Sequence, residues 1–149
     1  MNTRKRRRAD LLQKLSDFFA AFASFSELSP RDAAKTVRRL AQTRDFGALG
    51  FLMPFSLRCR DANVKEVWRE EVAQFDGASL LTDEEKALLT GFADHFGMTS
   101  LSAFTEACRK YAVLFEEYAG REKQKLEKTG ALTVGAGVLA AALITVVCW

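Results

Sequence analysis

The sequence is poor in the residues that most often carry chemistry or interrupt helices. Its 149 residues include one histidine, two prolines and three cysteines. They contain no paired Cys/His cluster for a metal, no HExxH motif and no GxxxxGK phosphate loop. The few prolines and nine glycines leave long stretches without a helix breaker. These absences argue against an enzyme, call for no cofactor or metal, and favour an all-α protein.

The cysteines also limit where the chain can work. Cys59, Cys108 and Cys148 are far apart and odd in number. Such a set forms neither a disulfide framework nor a CxxC pair, which favours a reducing compartment. Polar residues, among them Asp10 and Asp17, interrupt the first apolar stripe. A cleavable signal peptide is therefore not expected.

Positive charge is concentrated at the N-terminus, in the run Arg4, Lys5, Arg6, Arg7 and Arg8. Subtracting these five from the 22 basic residues leaves 17 against 19 acidic ones, so the body of the chain is not a basic nucleic-acid binder. The run also lacks the interleaved aromatics that support single-strand binding. We predict that it is a lipid-facing flank, with nucleic-acid contact or a plain solvated tail as the alternatives. Because it touches no apolar face, its replacement by alanine should leave the fold intact.

Residues 129–149 contain no charged side chain. As a helix they would span roughly 30 Å, the thickness of the hydrocarbon core, and so they predict a C-terminal transmembrane helix. The alternative, a buried core helix, would need a larger domain to enclose it. Basic residues precede the span and none follows it, which places the N-terminal domain in the cytoplasm. This membrane flank consists of Arg121, Lys123, Lys125 and Lys128.

Between the basic arm of residues 1–8 and the span, residues 9–128 have the periodicity of a small helical bundle. The first helix is predicted from about Ala9 to Ser26, and Phe46 to Phe55 as a short buried helix or turn. The last helix begins near Ser100 and can continue into the bilayer, with Gly120 as its one weak point. The first helix places these residues on one face: Leu11, Leu15, Phe18, Phe22 and Phe25.

Capping signals mark the ends of the other helices. The segment Ser29 to Asp32 has a capping serine followed by proline, which is typical of a helix start. Asp61 or Asn63 can cap the next helix. Thr82 to Glu85 has the form of a capping box, and Gly97 is placed to end the helix that follows.

A few polar and aromatic residues are candidates for a site. His95 is predicted to be a charged imidazole at a helix C-terminus rather than a ligand or base. The acidic pairs Glu70-Glu71, Glu84-Glu85 and Glu116-Glu117 are interpreted as solvated faces rather than acid/base pairs. Trp68 lies on the apolar face of its helix and is predicted to be a core residue first and a contact residue second. Glu70, Glu71 and Trp68 are the candidates for partner contact.

From Leu11 to Val147 the order of features resembles the stage III sporulation protein AB family of endospore-forming bacteria. A basic, Leu-rich first helix is followed by Val67-Trp68-Arg69-Glu70-Glu71 and by an acidic helix that ends in Phe92-Ala93-Asp94-His95-Phe96-Gly97. A long charged helix then leads through Glu122 to Lys128 into a Gly-rich span, Gly130 to Gly137. The separate motifs are weak, and their order carries the resemblance.

The resemblance implies a protein of the mother-cell membrane during sporulation, and the one uncharged run predicts that it is single-pass. It implies an assembly role in a secretion-like complex, with other sporulation-complex membrane proteins, membrane lipids and a secretion-type ATPase as partners and no nucleic acid. The helical domain is similar to the cytoplasmic domains of type II secretion F-type platform proteins, and no catalytic residue carries over. A generic tail-anchored adaptor with a lipid-binding basic arm is the alternative.

The chain departs from the family pattern in two places. Family members usually begin with a transmembrane helix, whereas Arg4 to Arg8 stand at this start, so that the start is truncated or the anchor was lost. The acidic position that usually follows the glycine is not evident in Met98 to Leu101.

Overall fold

The computed structural model describes residues 3–25, 30–59, 63–97 and 100–131, and within these ranges every regular element is a helix. This confirms the all-α class. The α-helices are α1 (Thr3–Phe25), α2 (Pro30–Ala41), α3 (Leu52–Arg58), α4 (Val64–Gln74), α5 (Asp83–Gly91) and α6 (Leu101–Ala131). Three short 3-10 helices lie between them, at Arg44–Phe46, Asp76–Leu80 and Phe92–Gly97.

Helix α1 extends further than its apolar pattern suggested, whereas α6 passes its one weak point as the prediction of a long last helix allows. Helix α1 begins at Thr3 rather than near Ala9, because Arg and Lys are good helix formers and no breaker separates them from the apolar stripe. The basic run is thus the first part of α1. Helix α6 passes through Gly120 without a break and continues to Ala131, because one glycine costs only about 1 kcal/mol in a helix.

The predicted transmembrane segment falls almost entirely outside the described residues. The backbone of residues 129–131 belongs to the last turn of α6, and residues 132–149 are not described. Among the helices of the described part, none combines the length and the apolar character needed to cross a bilayer.

Helices α1 and α6 pack antiparallel along the middle of the bundle. The ring centroids of Phe22 and Phe104 lie 5.4 Å apart near one end, and those of Phe19 and Phe115 lie 5.9 Å apart further along. Between the helices the buried Ser16 hydroxyl donates a hydrogen bond of 2.7 Å to the carbonyl of Ala112. The N-terminus of α1 therefore lies beside the C-terminal part of α6.

A cluster of aromatic rings around Trp68 joins α4 to the rest of the core. The indole is fully buried, and its Nε1 donates a hydrogen bond of 2.8 Å to the carbonyl of Leu89 on α5. This confirms the prediction that Trp68 is a core residue. Five phenylalanine rings lie within 6.4 Å of the indole, centroid to centroid: Phe19, Phe51, Phe55, Phe92 and Phe96.

Of the capping predictions, the capping box before α5 is confirmed. The Thr82 hydroxyl accepts from the Glu85 N–H, and the Glu85 carboxylate accepts from the Thr82 N–H, which is the predicted capping box. Asn63 occupies the N-cap position of α4, although its side chain makes no capping hydrogen bond. Gly97 ends a 3-10 helix rather than α5, which has already ended at Gly91.

Candidate functional site

A buried ion-pair network joins three helices at the end of the bundle where α1 begins. The Arg8 guanidinium on α1 binds both oxygens of Glu85 on α5, with Nη1–Oε1 at 2.5 Å and Nη2–Oε2 at 2.8 Å. Its Nε lies 3.3 Å from Oε1 of Glu122 on α6, and Nη1 also donates to the carbonyl of Leu80 at 3.0 Å. The Glu85 and Glu122 side chains are only 2% and 7% exposed. We call these three charged residues the Arg8 network.

The opposite charges in this network stabilise one another. Burial by itself would raise the pKa of the Glu85 carboxyl, but the hydrogen bonds from Arg8 and from the Thr82 N–H outweigh it and leave the pKa below its usual range. The hydrogen bond to Glu85 in turn raises the pKa of Arg8. Lys125 Nζ lies 3.8 Å from Glu122 and adds a second positive charge. Arg8 and Glu85 thus hold their charged forms at neutral pH.

The lowered pKa of Glu85 predicts acid sensitivity. A carboxylate with a depressed folded-state pKa stabilises the fold above its unfolded value of about 4.3, and this stabilisation is lost as the pH falls towards the folded value. The free energy of unfolding of the full-length protein in detergent should therefore drop below about pH 4.3. A Glu85→Gln variant should show a shallower drop over the same interval. Equal pH slopes for the two proteins would contradict this assignment.

Of the two residues in the acidic pair on α4, one is exposed and the other is buried. Glu70 is exposed as predicted, and its carboxylate is bound by Arg58 of α3 at 2.5 Å. Glu71 is buried, contrary to its interpretation as part of a solvated face, and accepts from the same guanidinium at 2.6 Å. Glu71 is buried because it lies one turn after Trp68, on the face of α4 that packs on the core. Only Glu70 of this pair is available to a partner.

The other two acidic pairs also differ in burial. Glu84 is exposed and accepts a hydrogen bond from the Tyr118 hydroxyl at 3.1 Å, whereas its neighbour Glu85 belongs to the buried Arg8 network. The interpretation of this pair as a solvated face was therefore wrong for Glu85. Both members of the pair Glu116-Glu117 are exposed, as predicted.

Trp68 and His95 both pack against the aromatic core of the bundle. Because Trp68 is fully buried, its indole is out of reach of a partner in this fold. His95 packs beside the rings of Phe92 and Tyr111, with centroids 5.5 and 5.7 Å away. Burial lowers the pKa of His95, the Asp94 carboxylate partly opposes this, and Lys110 lowers the pKa further. The prediction of a charged imidazole is therefore wrong, because burial outweighs the helix terminus.

Burial also determines the chemistry of Cys108, which lies on α6. Its thiol is fully buried, and this burial raises its pKa to about 12. The thiolate is the reactive form of cysteine, so this residue is unreactive at neutral pH. Within the described ranges, no group of three or more His, Cys, Asp or Glu residues is placed to hold a metal ion.

The predicted basic flanks lie at the same end of the bundle as the Arg8 network. Arg8 is turned inward, whereas the four preceding basic residues of α1 are exposed. The exposed Arg4 donates to the carbonyl of Ser79 at 2.8 Å. On α6 three flank residues have exposed side chains, and Lys123 donates to the side-chain oxygen of Gln13 at 2.7 Å. The exposed flank residues are Arg4, Lys5, Arg6, Arg7, Arg121, Lys123 and Lys125. The side chain of Lys128 lies outside the described residues.

An open cleft of about 650 Å³ lies between α1, the segment before α3 and the end of α4. Its charged lining consists of Arg7 and the carboxylates Asp10, Glu71 and Asp76. Gly77 allows the 3-10 helix behind the cleft to approach α1, because a Cβ at this position would lie 3.1 Å from a methyl carbon of Leu11. The lining is net negative and would suit a basic group of a partner.

Sequence reasoning missed Arg58 and the inward roles of Arg8 and Glu122. A signal was present for two of them. Arg8 lies three residues before Leu11, and Glu122 lies three residues after the buried Ala119, so both continue an apolar face. A charged residue in such a position needs a buried partner of opposite charge.

Taken together, these features define a small helical-bundle protein whose buried charged groups are bound to one another across α1, α3, α4, α5 and α6. The chain belongs to the stage III sporulation protein AB family, whose model matches residues 1–149, the whole chain. This confirms the resemblance read from the order of the sequence motifs. No significant match was found among curated proteins or among solved structures.

Proposed function

We propose that this protein is a non-enzymatic, membrane-anchored assembly component of a secretion-like complex that acts during sporulation. The observation that carries the proposal is the family match over the whole chain. The uncharged run of residues 129–149 supports a single membrane anchor in the mother-cell membrane, and the basic flank before it supports a cytoplasmic domain.

We further propose that the helical domain docks a secretion-type ATPase. The buried charged residues support an internal structural role for the polar groups, since Arg8, Glu85 and Glu122 satisfy one another. Contact with a partner would therefore be made by exposed groups. Helix α4 carries the exposed carboxylates of Glu66 and Glu70, and its C-terminal end borders the net negative cleft. Such a surface is complementary to a basic patch on a partner.

The test is co-purification of the full-length protein, in membranes, with a secretion-type ATPase from the same organism. A Glu66→Lys/Glu70→Lys variant should retain at least tenfold less ATPase while keeping its helical content, because both side chains are exposed and Glu71 keeps Arg58 as its partner. Glu71 is left unchanged because it is buried.

The matched control is Glu116→Lys/Glu117→Lys, an equal charge reversal on the exposed side of α6. It should retain the ATPase as well as the unmodified protein does. Equal losses in both variants would show a non-specific charge effect and remove α4 as the contact surface. No retention by the unmodified protein would defeat the docking model and leave the generic tail-anchored adaptor.

A further inference from the structure

Two basic segments from opposite ends of the chain meet at one end of the bundle. Because α1 and α6 are antiparallel, the first turns of α1 lie beside the part of α6 that follows Ala119. Two contacts establish this pairing directly: Arg8 reaches Glu122, and Gln13 accepts from Lys123. Exposed basic residues on both helices therefore surround the same end of the bundle. We call this surface the basic collar; it consists of Arg4, Lys5, Arg6 and Arg7 of α1 and Arg121, Lys123 and Lys125 of α6.

The helix segments that form the collar carry few exposed acidic groups of their own. Within residues 4–10 and 121–127 the exposed carboxylates are Asp10 and Glu127, against seven exposed basic side chains. Arg7 also lines the cleft beside the exposed carboxylates of Asp10 and Asp76, so the excess positive charge rests on the other six basic residues. The third carboxylate of these segments, Glu122, is buried against Arg8, with Lys125 of the collar 3.8 Å away. The Arg8 network thus fixes the pairing of the two helices that carry the collar.

The collar lies where α6 leaves the bundle. The uncharged run begins at Thr129, which is four residues after Lys125 and eight after Arg121. At 1.5 Å per residue these basic residues precede the run by about 6–12 Å along the helix axis. The polar headgroup layer on each side of a bilayer is about 5–8 Å thick. Long basic side chains at this distance reach headgroups when the run that follows lies in the hydrocarbon core.

We propose that the basic collar binds anionic phospholipid headgroups as one surface built from both chain ends. This rests on the proposed membrane anchor, and it adds that the domain is held against the membrane by α1 as well as by α6. A basic residue near an anionic membrane surface strengthens binding about fivefold. Seven of them on two helices fix the orientation of the bundle, which a single connecting helix would leave free to tilt.

The experiment uses full-length protein reconstituted into vesicles of phosphatidylcholine alone or of phosphatidylcholine mixed with phosphatidylglycerol. Exposed lysines are acylated with an amine-reactive reagent, and the rate at each lysine is read by mass spectrometry. Lys5, Lys123 and Lys125 should react several-fold more slowly in the mixed vesicles. Lys110 should react equally in both, because it lies about 20 Å from Lys123 along α6. Collar rates that do not differ between the two vesicles would overturn the proposal.

A charge-reversal variant tests whether the two helices form one surface. Arg6→Glu/Arg7→Glu on α1 should restore fast acylation of Lys123 and Lys125 on α6, more than a hundred residues away in sequence. The matched control is Arg38→Glu/Arg39→Glu, an exposed pair on α2, which should leave these rates unchanged. Continued protection of Lys123 in the α1 variant would overturn the shared surface.

Two further arms separate this proposal from others. Protein that fails to float with either vesicle contradicts the anchor and the collar together, whereas protein that floats with both but shows equal lysine rates contradicts the collar alone. Duplex DNA added to phosphatidylcholine vesicles should not protect Lys5 or Lys123. If DNA protects them and phosphatidylglycerol does not, the surface is a nucleic-acid site and the proposal is wrong.

Discussion

Replacing Arg8 with alanine is expected to lower the free energy of unfolding by about 3–5 kcal/mol. The reason is that Glu85, only 2% exposed, and Glu122, only 7% exposed, would remain as buried carboxylates without their guanidinium. Lys125, at 3.8 Å from Glu122, can partly neutralise Glu122 but not Glu85. The measurement is the denaturant midpoint of the full-length protein in detergent micelles, followed by far-ultraviolet circular dichroism.

The neighbouring arginine provides the control for this result. Arg7 carries the same charge on the same helix but is exposed, so Arg7→Ala should change stability by less than about 0.5 kcal/mol. A double variant that removes Arg8 and Glu85 together should be more stable than the sum of the single losses predicts, because Glu85 is then no longer a buried carboxylate without its guanidinium. If the Arg8→Ala and Arg7→Ala variants unfold at the same denaturant midpoint, the Arg8 network contributes nothing to stability. The expectation that alanine at positions 4–8 leaves the fold intact fails at Arg8 for the same reason.

Trp68→Ala is expected to have an effect of similar size, a loss of about 3–5 kcal/mol. The indole fills the space between five phenylalanine rings, and its removal leaves a cavity that α4 and α5 cannot close without moving. The measurement is the same denaturant midpoint, together with the near-ultraviolet circular dichroism signal of the packed aromatic side chains.

A more conservative substitution separates the effect of the cavity from the effect of the lost hydrogen bond. Trp68→Phe keeps an aromatic ring among its neighbours and removes the Nε1–H that donates to Leu89. The Leu89 carbonyl retains the N–H of Phe92 as a donor, so no buried acceptor is left alone. The loss should therefore be clearly smaller than in Trp68→Ala. A loss as large in Trp68→Phe would mean that the hydrogen bond, rather than packing, is the dominant contribution.

Local signals in the sequence predicted local structure well. The capping box needs only residues within one turn of one another, and both of its hydrogen bonds are present between Thr82 and Glu85. Pro30 marked the first residue of α2 because its fixed φ suits only the first turn. The periodicity around Trp68 correctly assigned it to the core, since side chains three and four residues apart share a face.

The predictions that were wrong concern residues whose partners are distant in sequence. Glu85 and Glu71 were assigned to solvated faces because charge usually indicates solvent, and the arginines that bind them lie 77 and 13 residues away. A charged residue on an apolar face signals burial locally, but the sequence does not show which distant residue binds it. His95 shows the same limit in another form. A rule about helix ends favoured its charged form, but burial beside Tyr111, a residue of α6, lowers its pKa.

The pairing of α1 with α6 also determines when the protein can fold. Ser16 and Ala112 are 96 residues apart, so the side of α1 that packs on α6 has no partner until α6 has been synthesised, although Phe19 can already meet Trp68 and Phe92. Ribosomes add about 5–20 residues per second, which leaves that side of α1 uncovered for several seconds. Closing so long a loop is also entropically unfavourable before the contacts that reward it can form. The nascent chain therefore completes its core only after nearly all of it has been made, when the apolar run that follows α6 is also leaving the ribosome.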